Sequence, residues 1–355
     1  MKRIVMIVAG GTGGHVFPAL AVAELCRQRG FAVEWIGSEQ GIEAKLVPAA
    51  GITLHSLPMQ GWRGKALRAQ LRGVVQLLRS TWRAWRLLRR PQVALALGMG
   101  GYASAPAGLA AYLAGVPLVI HEQNAAPGLS NRLLAHLARL VLTGFPGVMP
   151  GPRTRFVGNP VRASILQLTP PVLRLRPAGP WRILVLGGSQ GAAALNRLLP
   201  EALAALAQEQ SLEVVHQCGE QHVASTRQAY AGMAGLVTVS GFISDMAQAY
   251  AQADLVICRA GALTVAELAA AGVASVLIPL PQAVDDHQRR NAEYLSQAGA
   301  ALLCPQTGLQ HAALLELLRP LLQAERLQAM AQKAWELARR DAAMAVMTSC
   351  EEVMR

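Results

Sequence analysis

Two glycine-rich loops are the parts of this sequence best suited to bind an anion. They span residues 10–15 (GGTGGH) and 187–191 (GGSQG), and each lies between a short apolar run and a helical pattern. Backbone N–H groups freed by the glycines would point to the same place as a helix N-terminus, an arrangement that binds phosphate. A single loop of this kind often does no more than turn a strand into a helix, but two of them favour a phosphate-containing ligand.

A third loop carries a carboxylate into a predicted helix. It covers residues 259–267 and ends at Glu267. A glutamate there can accept both hydroxyls of a ribose while the helix start holds a diphosphate, or it can be a simple capping residue. Gln288 lies further on, at the start of another predicted helix, and offers the paired donor and acceptor that read sugar hydroxyls. These residues together favour a sugar nucleotide as ligand.

A nicotinamide-binding domain also opens with a glycine loop, but it needs the pattern G-x-G-x-x-G and an acidic residue after the second strand. Val16 stands where the third glycine belongs, and Glu34 lies inside the predicted second strand, so a dehydrogenase is disfavoured. The sequence has no Asp-x-Asp pair to hold a metal-bound diphosphate, and its five cysteines lack metal-ligand spacing. We therefore expect no metal, no cofactor and five buried thiols.

Two residues are candidates for the general base of a transfer reaction. His15 begins a predicted helix, and a histidine ordinarily titrates near pH 6.5. A helix N-terminus disfavours the imidazolium, however, so His15 could instead orient the loop or bind substrate. Glu122 ends a predicted strand, where the catalytic groups of parallel sheets collect, but it could equally hold Asn124 and its loop in place.

Short apolar runs alternate with helical patterns along the chain, which indicates parallel sheets with helices on both faces. The alternation lapses over residues 144–180, where eight prolines crowd. We predict a doubly wound α/β fold with two similar Rossmann-like domains, residues 1–160 and 161–340, and a final helix, residues 341–355, that packs back on the first. Glycines and prolines interrupt the longest charge-free stretch, residues 92–120, and no long apolar signal opens the chain, so we expect a cytoplasmic protein without a membrane span.

The segment at residues 61–90 has an uneven charge distribution. It contains nine Lys and Arg residues, no acidic residue, and three of the six tryptophans. On a helical projection, seven apolar residues share one arc and six arginines flank it. The apolar residues are Leu67, Leu71, Val74, Val75, Leu78, Trp82 and Trp85, and the arginines are Arg68, Arg72, Arg79, Arg83, Arg86 and Arg90. The arc could face the protein core, but the basic flank beside tryptophans is typical of a helix on an anionic membrane surface.

The combined motifs identify a family. They are GGTGGHVFPA at residues 10–19, GGY at 100–102, HEQN at 121–124, GNPVR at 158–162, GGSQGA at 187–192, and the loop at 261–267. Nearly end to end, the chain resembles the bacterial undecaprenyldiphospho-muramoylpentapeptide β-N-acetylglucosaminyltransferases. The resemblance implies the GT-B fold, with two Rossmann-like domains around a cleft. It also implies inverting transfer of N-acetylglucosamine from UDP-N-acetylglucosamine to the C4 hydroxyl of the muramoyl sugar of lipid I, which gives lipid II at the cytoplasmic face of the inner membrane.

The resemblance further implies a set of substrate contacts. Those in the N-terminal domain are Thr12, Gly13, Gly14, Asn124 and Arg162. Those in the C-terminal domain are Ser189, Ile243, Ala262, Leu263, Thr264, Val265, Ala266, Glu267 and Gln288. The family pattern has a serine where this chain has Ala266, so one hydroxyl contact is missing.

Two other functions fit part of the sequence. A UDP-N-acetylglucosamine 2-epimerase would share the fold and the donor, but it needs no membrane acceptor and so leaves the basic segment at 61–90 unexplained. The net charge of +12 would suit a nucleic-acid-binding protein, which in turn leaves the glycine loops unexplained. We therefore expect UDP-N-acetylglucosamine, lipid I and an anionic membrane surface as partners, and no nucleic acid.

Overall fold

The computed structural model describes residues 2–58, 67–174, 179–188, 191–233 and 235–355, and for residues 67–74 and 284 it describes the backbone alone. The chain divides into two compact units. The first comprises Met1–Arg162 together with Arg339–Arg355, and the second comprises Ala163–Ala338. Each unit contains one parallel sheet.

The first unit has a seven-stranded sheet in the order β3-β2-β1-β4-β5-β6-β7. Its strands are β1 (Ile4–Val8), β2 (Ala32–Ser38), β3 (Thr53–Leu57), β4 (Val93–Gly98), β5 (Leu118–Glu122), β6 (Leu140–Thr143) and β7 (Thr154–Phe156). The helices that accompany them are α1 (Gly13–Gln28), α2 (Glu43–Ala49), α3 (Leu67–Leu88), α4 (Ser104–Leu113) and α5 (Leu129–Leu134).

Helices cover both faces of this sheet, so its central strands are apolar throughout rather than alternating. All five residues of β1 are buried. Val5 and Ile7 pack under α1, whereas Ile4 and Met6 pack under a helical layer formed by α3, α4 and α5. The sequence pattern that predicted β1 therefore reflects burial on two sides.

The second unit repeats this arrangement with a six-stranded parallel sheet in the order β10-β9-β8-β11-β12-β13. Its strands are β8 (Trp181–Leu186), β9 (Leu212–Gln217), β10 (Val237–Ser240), β11 (Leu255–Cys258), β12 (Ala274–Leu277) and β13 (Ala301–Leu303). Its α-helices are α6 (Ala163–Leu166), α7 (Ala193–Ala207), α8 (Val223–Ala229), α9 (Met246–Gln252), α10 (Ala262–Ala271), α11 (His287–Ser296), α12 (His311–Leu318) and α13 (Ala324–Leu337).

The last helix, α14 (Ala342–Met354), belongs to the first unit and packs against α1. The Sγ atom of Cys26 lies 3.3 Å from Sδ of Met347, and Arg29 forms an ion pair of 3.1 Å with Glu351. The chain therefore leaves the first unit after residue 162 and returns to it at residue 339.

Two strands of the first unit, β6 and β7, were not predicted from the sequence. β7 lies inside the proline-rich stretch that was predicted as a connection, and it pairs with β6 through the register Val141 to Thr154. Strands of three or four residues are too short to display a hydrophobic period, which explains why the pattern missed them.

Within residues 75–88 of helix α3, most of the buried side chains are small or polar, whereas the predicted apolar arc is largely not buried; the arc members Leu67, Leu71 and Val74 lie outside the described side chains. The buried side chains in its described half are Ser80, Thr81, Ala84 and Leu88. Three members of the apolar arc are exposed instead, namely Val75 (49%), Leu78 (64%) and Trp82 (55%). Among the described residues, no helix combines the length and the apolar character that crossing a membrane requires.

Candidate active site

The first candidate site lies where three neighbouring strands of the first sheet end. β1, β4 and β5 are adjacent, and each leads into one of the sequence motifs. Residues 10–15 follow β1, residues 100–102 follow β4, and residues 121–124 span the end of β5. Ligands of doubly wound sheets bind at this edge. The fold thus brings His15 and Glu122 to the same edge of one unit.

His15 lies in the first turn of α1, against the glycine pair that follows β4. Thr12 is the N-cap residue of α1, and its Oγ1 atom lies 3.4 Å from Nδ1 of His15. A Cβ atom at Gly100 would lie 2.9 Å from Nε2 of His15, so the imidazole packs directly over the glycine backbone. The side chain remains partly exposed. The ring is therefore oriented by its neighbours and is still accessible to a ligand.

The glycine pair after β4 allows two loops to meet backbone to backbone. Gly100 and Gly101 have φ angles of +95° and +94°, a region that glycine adopts without strain. A Cβ atom at Gly101 would overlap the carbonyl oxygen of Gly10, whose own N–H donates to the Gly100 carbonyl over 3.3 Å. Any other residue at position 101 would push the first glycine loop away from β4.

The first glycine loop directs fewer amides outward than its sequence suggests. The Gly10 N–H is used within the unit, and the Gly11 N–H donates to Oε2 of Glu43 over 3.0 Å. The N–H groups of Gly13 and Gly14, in the first turn of α1, have no acceptor within their helix and are therefore candidate donors to a ligand. Sequence reasoning did not single out Glu43, since no motif or spacing connects it to the loop.

Glu122 is buried at the end of β5, where its carboxylate accepts four hydrogen bonds. Oε1 accepts from the N–H of Asn124 (2.9 Å) and from its Nδ2 (3.3 Å). Oε2 accepts from the N–H of Gly128 (3.0 Å) and from Nδ2 of Asn131 (2.8 Å). This geometry favours the second interpretation of Glu122, in which the carboxylate holds the loop that carries Asn124.

The motif at residues 158–162 joins the same edge of the first unit. Nε2 of His121 lies 2.9 Å from the carbonyl oxygen of Gly158, to which it donates. Burial lowers the pKa of His121 to about 4, so this ring stays neutral and serves as a fixed donor. The guanidinium carbon of Arg162 lies 4.5 Å from the centre of the Phe17 ring, a cation–π contact that places Arg162 beside α1.

The second candidate site repeats the strand, loop and helix arrangement in the other unit. Gly187 and Gly188 follow β8, and Gly191 precedes α7. Gly191 has a φ of +76°, and a Cβ atom there would overlap the carbonyl oxygen of Cys218 after β9. Ser189, a predicted donor contact, lies outside the described residues.

A buried polar network supports this loop from within the unit. Nδ2 of Asn196 donates to the carbonyl oxygen of Cys218 over 3.0 Å, and its Oδ1 lies 3.0 Å from Nε2 of His216. Because Oδ1 can only accept, Nε2 carries the proton, and Nδ1 accepts from the hydroxyl of Tyr230 over 3.0 Å. Burial lowers the pKa of His216 to about 4, which keeps the network neutral. Its residues come from three separate elements, so sequence reasoning missed it.

The loop after β11 leads into α10 through Gly261, the N-cap residue. The first-turn amides at residues 262–264 are donors without acceptors in the helix, and the helix dipole adds positive potential there. Glu267 is buried, and its Oε2 accepts from the hydroxyl of Tyr250 over 3.2 Å. Of the other predicted contacts, Ala262, Leu263 and Val265 are buried, whereas Thr264 and Ala266 are partly exposed.

The two remaining predicted contacts lie on different loops of the second unit. Gln288 lies in the first turn of α11, and its Oε1 accepts from the N–H of Leu280 over 3.0 Å. Asp285 and Asp286, just before it, have φ angles of 55° and 52°. Such left-handed residues are uncommon outside glycine and concentrate at functional loops. Ile243 lines a cavity of about 480 Å³ beside β8, β9 and β10.

The cysteines contribute to the core rather than to a site. All five are buried free thiols, which confirms that prediction. Burial raises the pKa of Cys26 and of Cys258 to about 12, so both remain protonated. Within the part of the chain that the structure describes, no group of three His, Cys, Asp or Glu residues is placed to hold a metal ion.

Two Rossmann-like units, each with a glycine loop at the end of its first strand, define the GT-B class of glycosyltransferases. The chain belongs to glycosyltransferase family 28: the N-terminal domain of that family matches residues 5–143 and the C-terminal domain matches residues 182–346. The predicted family, fold and enzyme class are thereby confirmed.

Individual relatives agree with this assignment over the full length. The UDP-N-acetylglucosamine–N-acetylmuramyl-(pentapeptide) pyrophosphoryl-undecaprenol N-acetylglucosamine transferase of Stutzerimonas stutzeri is 52% identical, with 99% of each chain covered. The transferase of the same name from Alkalilimnicola ehrlichii is also 52% identical, with 100% of each chain covered. The crystal structure of Acinetobacter baumannii MurG is 41% identical and superposes with a TM-score of 0.84, over 99% of this chain and 100% of that one.

Proposed function

We propose that this chain transfers N-acetylglucosamine from UDP-N-acetylglucosamine to the C4 hydroxyl of the N-acetylmuramoyl-pentapeptide of lipid I, with inversion, and so forms lipid II for peptidoglycan. The observation that carries the proposal is the name shared by relatives that are about half identical over the whole chain. The glycine loop at residues 187–191 and the start of α10 would supply the backbone donors that a sugar nucleotide needs.

The second unit is the proposed donor-binding unit. Its first-turn amides at residues 262–264 would receive the diphosphate, assisted by the loop at 187–191, and would stabilise the charge that develops on UDP as the bond to the sugar breaks. Gln288 retains an amide NH₂ group suited to a sugar hydroxyl, because its Oε1 already accepts from a backbone N–H. Glu267 is the proposed partner of the ribose hydroxyls.

The first unit is the proposed acceptor-binding unit, and His15 is its proposed general base. An inverting transfer requires the acceptor hydroxyl to lose its proton as it attacks the anomeric carbon. His15 is partly exposed and is oriented by Thr12 and Gly100, whereas the Glu122 carboxylate is buried under four donors. We therefore assign proton removal to His15 and a positioning role to Glu122.

The reaction can be tested with UDP-N-acetylglucosamine and a lipid I analogue in buffer that contains EDTA. We expect transfer to persist in EDTA, since the sequence lacks the acidic pair that carries a metal-bound diphosphate. His15→Ala should lower kcat by about 10²–10⁴. Release of free sugar without lipid I would indicate an epimerase instead, and loss of transfer on chelation with recovery on added manganese would overturn the metal-free mechanism.

An exposed apolar patch on α3, α4 and α5 is the proposed membrane-binding surface, at the cytoplasmic face of the inner membrane. Its members lie on adjacent helices of one layer in the first unit. They are Val75, Leu78, Trp82, Leu109, Tyr112, Leu113, Leu129 and Leu133, each at least 38% exposed. Patches of this kind on an otherwise polar surface mark interaction sites. With this patch on the bilayer surface, the first unit would reach its lipid-linked acceptor from that surface.

Arginines border the patch in the described half of α3. Arg86 stacks on Trp82 and Arg89 on Trp85, with guanidinium carbons 5.0 and 4.7 Å from the ring centres. Paired Trp and Arg side chains suit the boundary between headgroups and acyl chains. Each basic side chain near an anionic leaflet adds about 1 kcal/mol of attraction, which salt screens.

Flotation with liposomes tests this surface. We expect binding to vesicles that contain anionic lipid, weaker binding to neutral vesicles, and loss of binding in a Leu78→Ser, Trp82→Ser variant. Leu173→Ser is the matched control, because Leu173 is 73% exposed but lies in the second unit. Unchanged flotation after Arg79 and Arg83 are replaced by glutamate would remove the electrostatic part of the proposal. Filter binding to duplex DNA at physiological salt should be negative.

A further inference from the structure

Glu43 is a completely buried carboxylate that no sequence motif includes. It lies at the start of α2, in the first unit. Its Oε2 accepts from the Gly11 N–H (3.0 Å), and its Oε1 accepts from the N–H (2.9 Å) and the Oγ (2.6 Å) of Ser38. The Ser38 hydroxyl itself accepts from the Gly41 N–H over 3.2 Å, so its hydrogen must point to Glu43.

Three glycines make room for this carboxylate. A Cβ atom at Gly10 or at Gly41 would overlap the carboxylate of Glu43, and a Cβ atom at Gly37 would lie 2.8 Å from its Cγ. These glycines come from the first glycine loop, from β2 and from the loop before α2. Glycine therefore occurs at three separate positions where a larger residue would displace this one charged side chain. A glutamate buried by chance would not require glycine at all three.

The carboxylate is linked to His15 by a short path along the chain. Gly11, which donates to Glu43, precedes Thr12, the N-cap residue of α1. Thr12 in turn accepts the His15 N–H through its carbonyl oxygen (3.1 Å) and contacts the imidazole through Oγ1 (3.4 Å). Fixing the Gly11 N–H therefore fixes where α1 begins and where the imidazole points.

We infer that Glu43 is a positioning residue for sugar transfer, which holds the first glycine loop by its Gly11 amide and thereby sets the orientation of His15. The inference rests on the proposed function, in which His15 removes the acceptor proton. A displacement of about 1 Å at a reacting group can cost about a hundredfold in rate, so the effect of losing Glu43 should be large even though it does not touch the substrate.

Glu43→Gln tests the inference, because the amide NH₂ group would face the donors that the carboxylate now accepts. We expect kcat to fall by about a hundredfold, while the KM for UDP-N-acetylglucosamine stays within about twofold, since the proposed donor site belongs to the second unit. Ser38→Ala is the matched control: it removes one donor from Oε1, leaves the Gly11 contact, and should lower kcat by less than about tenfold. If Glu43→Gln does not fold, Glu43→Asp, which is too short to reach both Gly11 and Ser38, takes its place.

A double-variant cycle separates positioning from general stability. If Glu43 acts through His15, the His15→Ala, Glu43→Gln chain should be no slower than His15→Ala alone. Three results would overturn the inference. They are a double variant that is slower than His15→Ala by the factor that Glu43→Gln causes alone, a loss of affinity for UDP-N-acetylglucosamine in Glu43→Gln as large as its loss of kcat, and a normal kcat per folded Glu43→Gln molecule. The NMR signals of the His15 ring provide a readout that does not need turnover. They should move in Glu43→Gln and not in Ser38→Ala, even if the wild-type chain failed to transfer sugar and the proposed function were wrong.

Discussion

Replacing Glu122 by glutamine distinguishes a proton acceptor from a loop anchor. The four groups that contact its carboxylate all donate, at 2.9 and 3.3 Å to Oε1 and at 3.0 and 2.8 Å to Oε2. A glutamine keeps one accepting oxygen but turns an NH₂ group towards the donors on the other side. Hydrogen bonds to a charged group contribute about 1.5–3 kcal/mol each, so losing two should lower the free energy of unfolding by about 3 kcal/mol or more.

The measurement is a pair of experiments on Glu122→Gln, urea unfolding and the pH dependence of kcat. If Glu122 is an anchor, the Glu122→Gln variant should lose stability and activity together, and the shape of its kcat profile against pH should match that of wild type, because the proposed base is unchanged. If Glu122 is the base, the variant should lose kcat by about 10²–10⁴ and the shape of that profile should change. Turnover that disappears while the unfolding free energy stays within about 0.5 kcal/mol of wild type would refute the anchoring role.

Asn131→Ala is the control for this experiment. It removes one donor from Oε2 but leaves the carboxylate in place. If Glu122 anchors the loop, this change should also weaken both stability, by about 1–2 kcal/mol, and activity. If Glu122 is the base, Asn131→Ala should leave the catalytic pH profile and kcat nearly unchanged.

Three further predictions follow from other buried groups and from the loops. Burial lowers the pKa of His121 and of His216 to about 4 in the folded chain, whereas a histidine ordinarily has a pKa near 6.5. The unfolded chain therefore binds these protons first as the pH falls. Urea unfolding should show full stability above about pH 6.5 and a decline towards pH 4 of up to roughly 3 kcal/mol per histidine. His216→Gln should show a shallower decline. Gly191→Ala should unfold more readily than Gly188→Ala in a thermal melt, because both have positive φ but only the added Cβ at 191 meets a backbone carbonyl. Ala266→Ser should lower the Kd for UDP-N-acetylglucosamine several-fold by calorimetry, since one net hydrogen bond contributes about 1 kcal/mol, and an unchanged Kd would show that the hydroxyl makes no contact.

The sequence predicted five of the seven strands of the first sheet and missed β6 and β7. The short apolar or mixed runs at residues 3–9, 53–57 and 118–121, beside glycine or turn residues, predict three strands, and the structure has them as β1, β3 and β5 within one residue of those bounds. β7 has only three residues, one of them exposed, so its pairing with β6 is decided by tertiary contact. A pattern that is read locally carries no information about such an edge strand.

Motifs likewise located the loops of the candidate site but not the side chains that hold them. The pattern GGTGGH predicts a tight loop before a helix. Its Gly11 N–H, however, donates to Glu43, which comes later in the chain, after α1 and β2. The same is true of α3, where periodicity found an apolar arc but could not decide which way it faces. The structure resolves this for Val75, Leu78 and Trp82, because small residues such as Ala84 occupy the inner face.

The two glycine loops look alike in sequence but have different electrostatic surroundings. The first has the Glu43 carboxylate 3.0 Å from its Gly11 amide, whereas the second is supported by the neutral network of Asn196 and His216. A carboxylate about 5 Å from a phosphate would raise the free energy of binding by about 3 kcal/mol at an effective dielectric constant of 20. This repulsion favours binding of a diphosphate at the second unit and leaves the first loop better suited to a neutral sugar hydroxyl beside His15. This difference in charge supports the proposed division between a donor-binding unit and an acceptor-binding unit, because two loops of equal affinity for phosphate would give UDP-N-acetylglucosamine no preferred orientation.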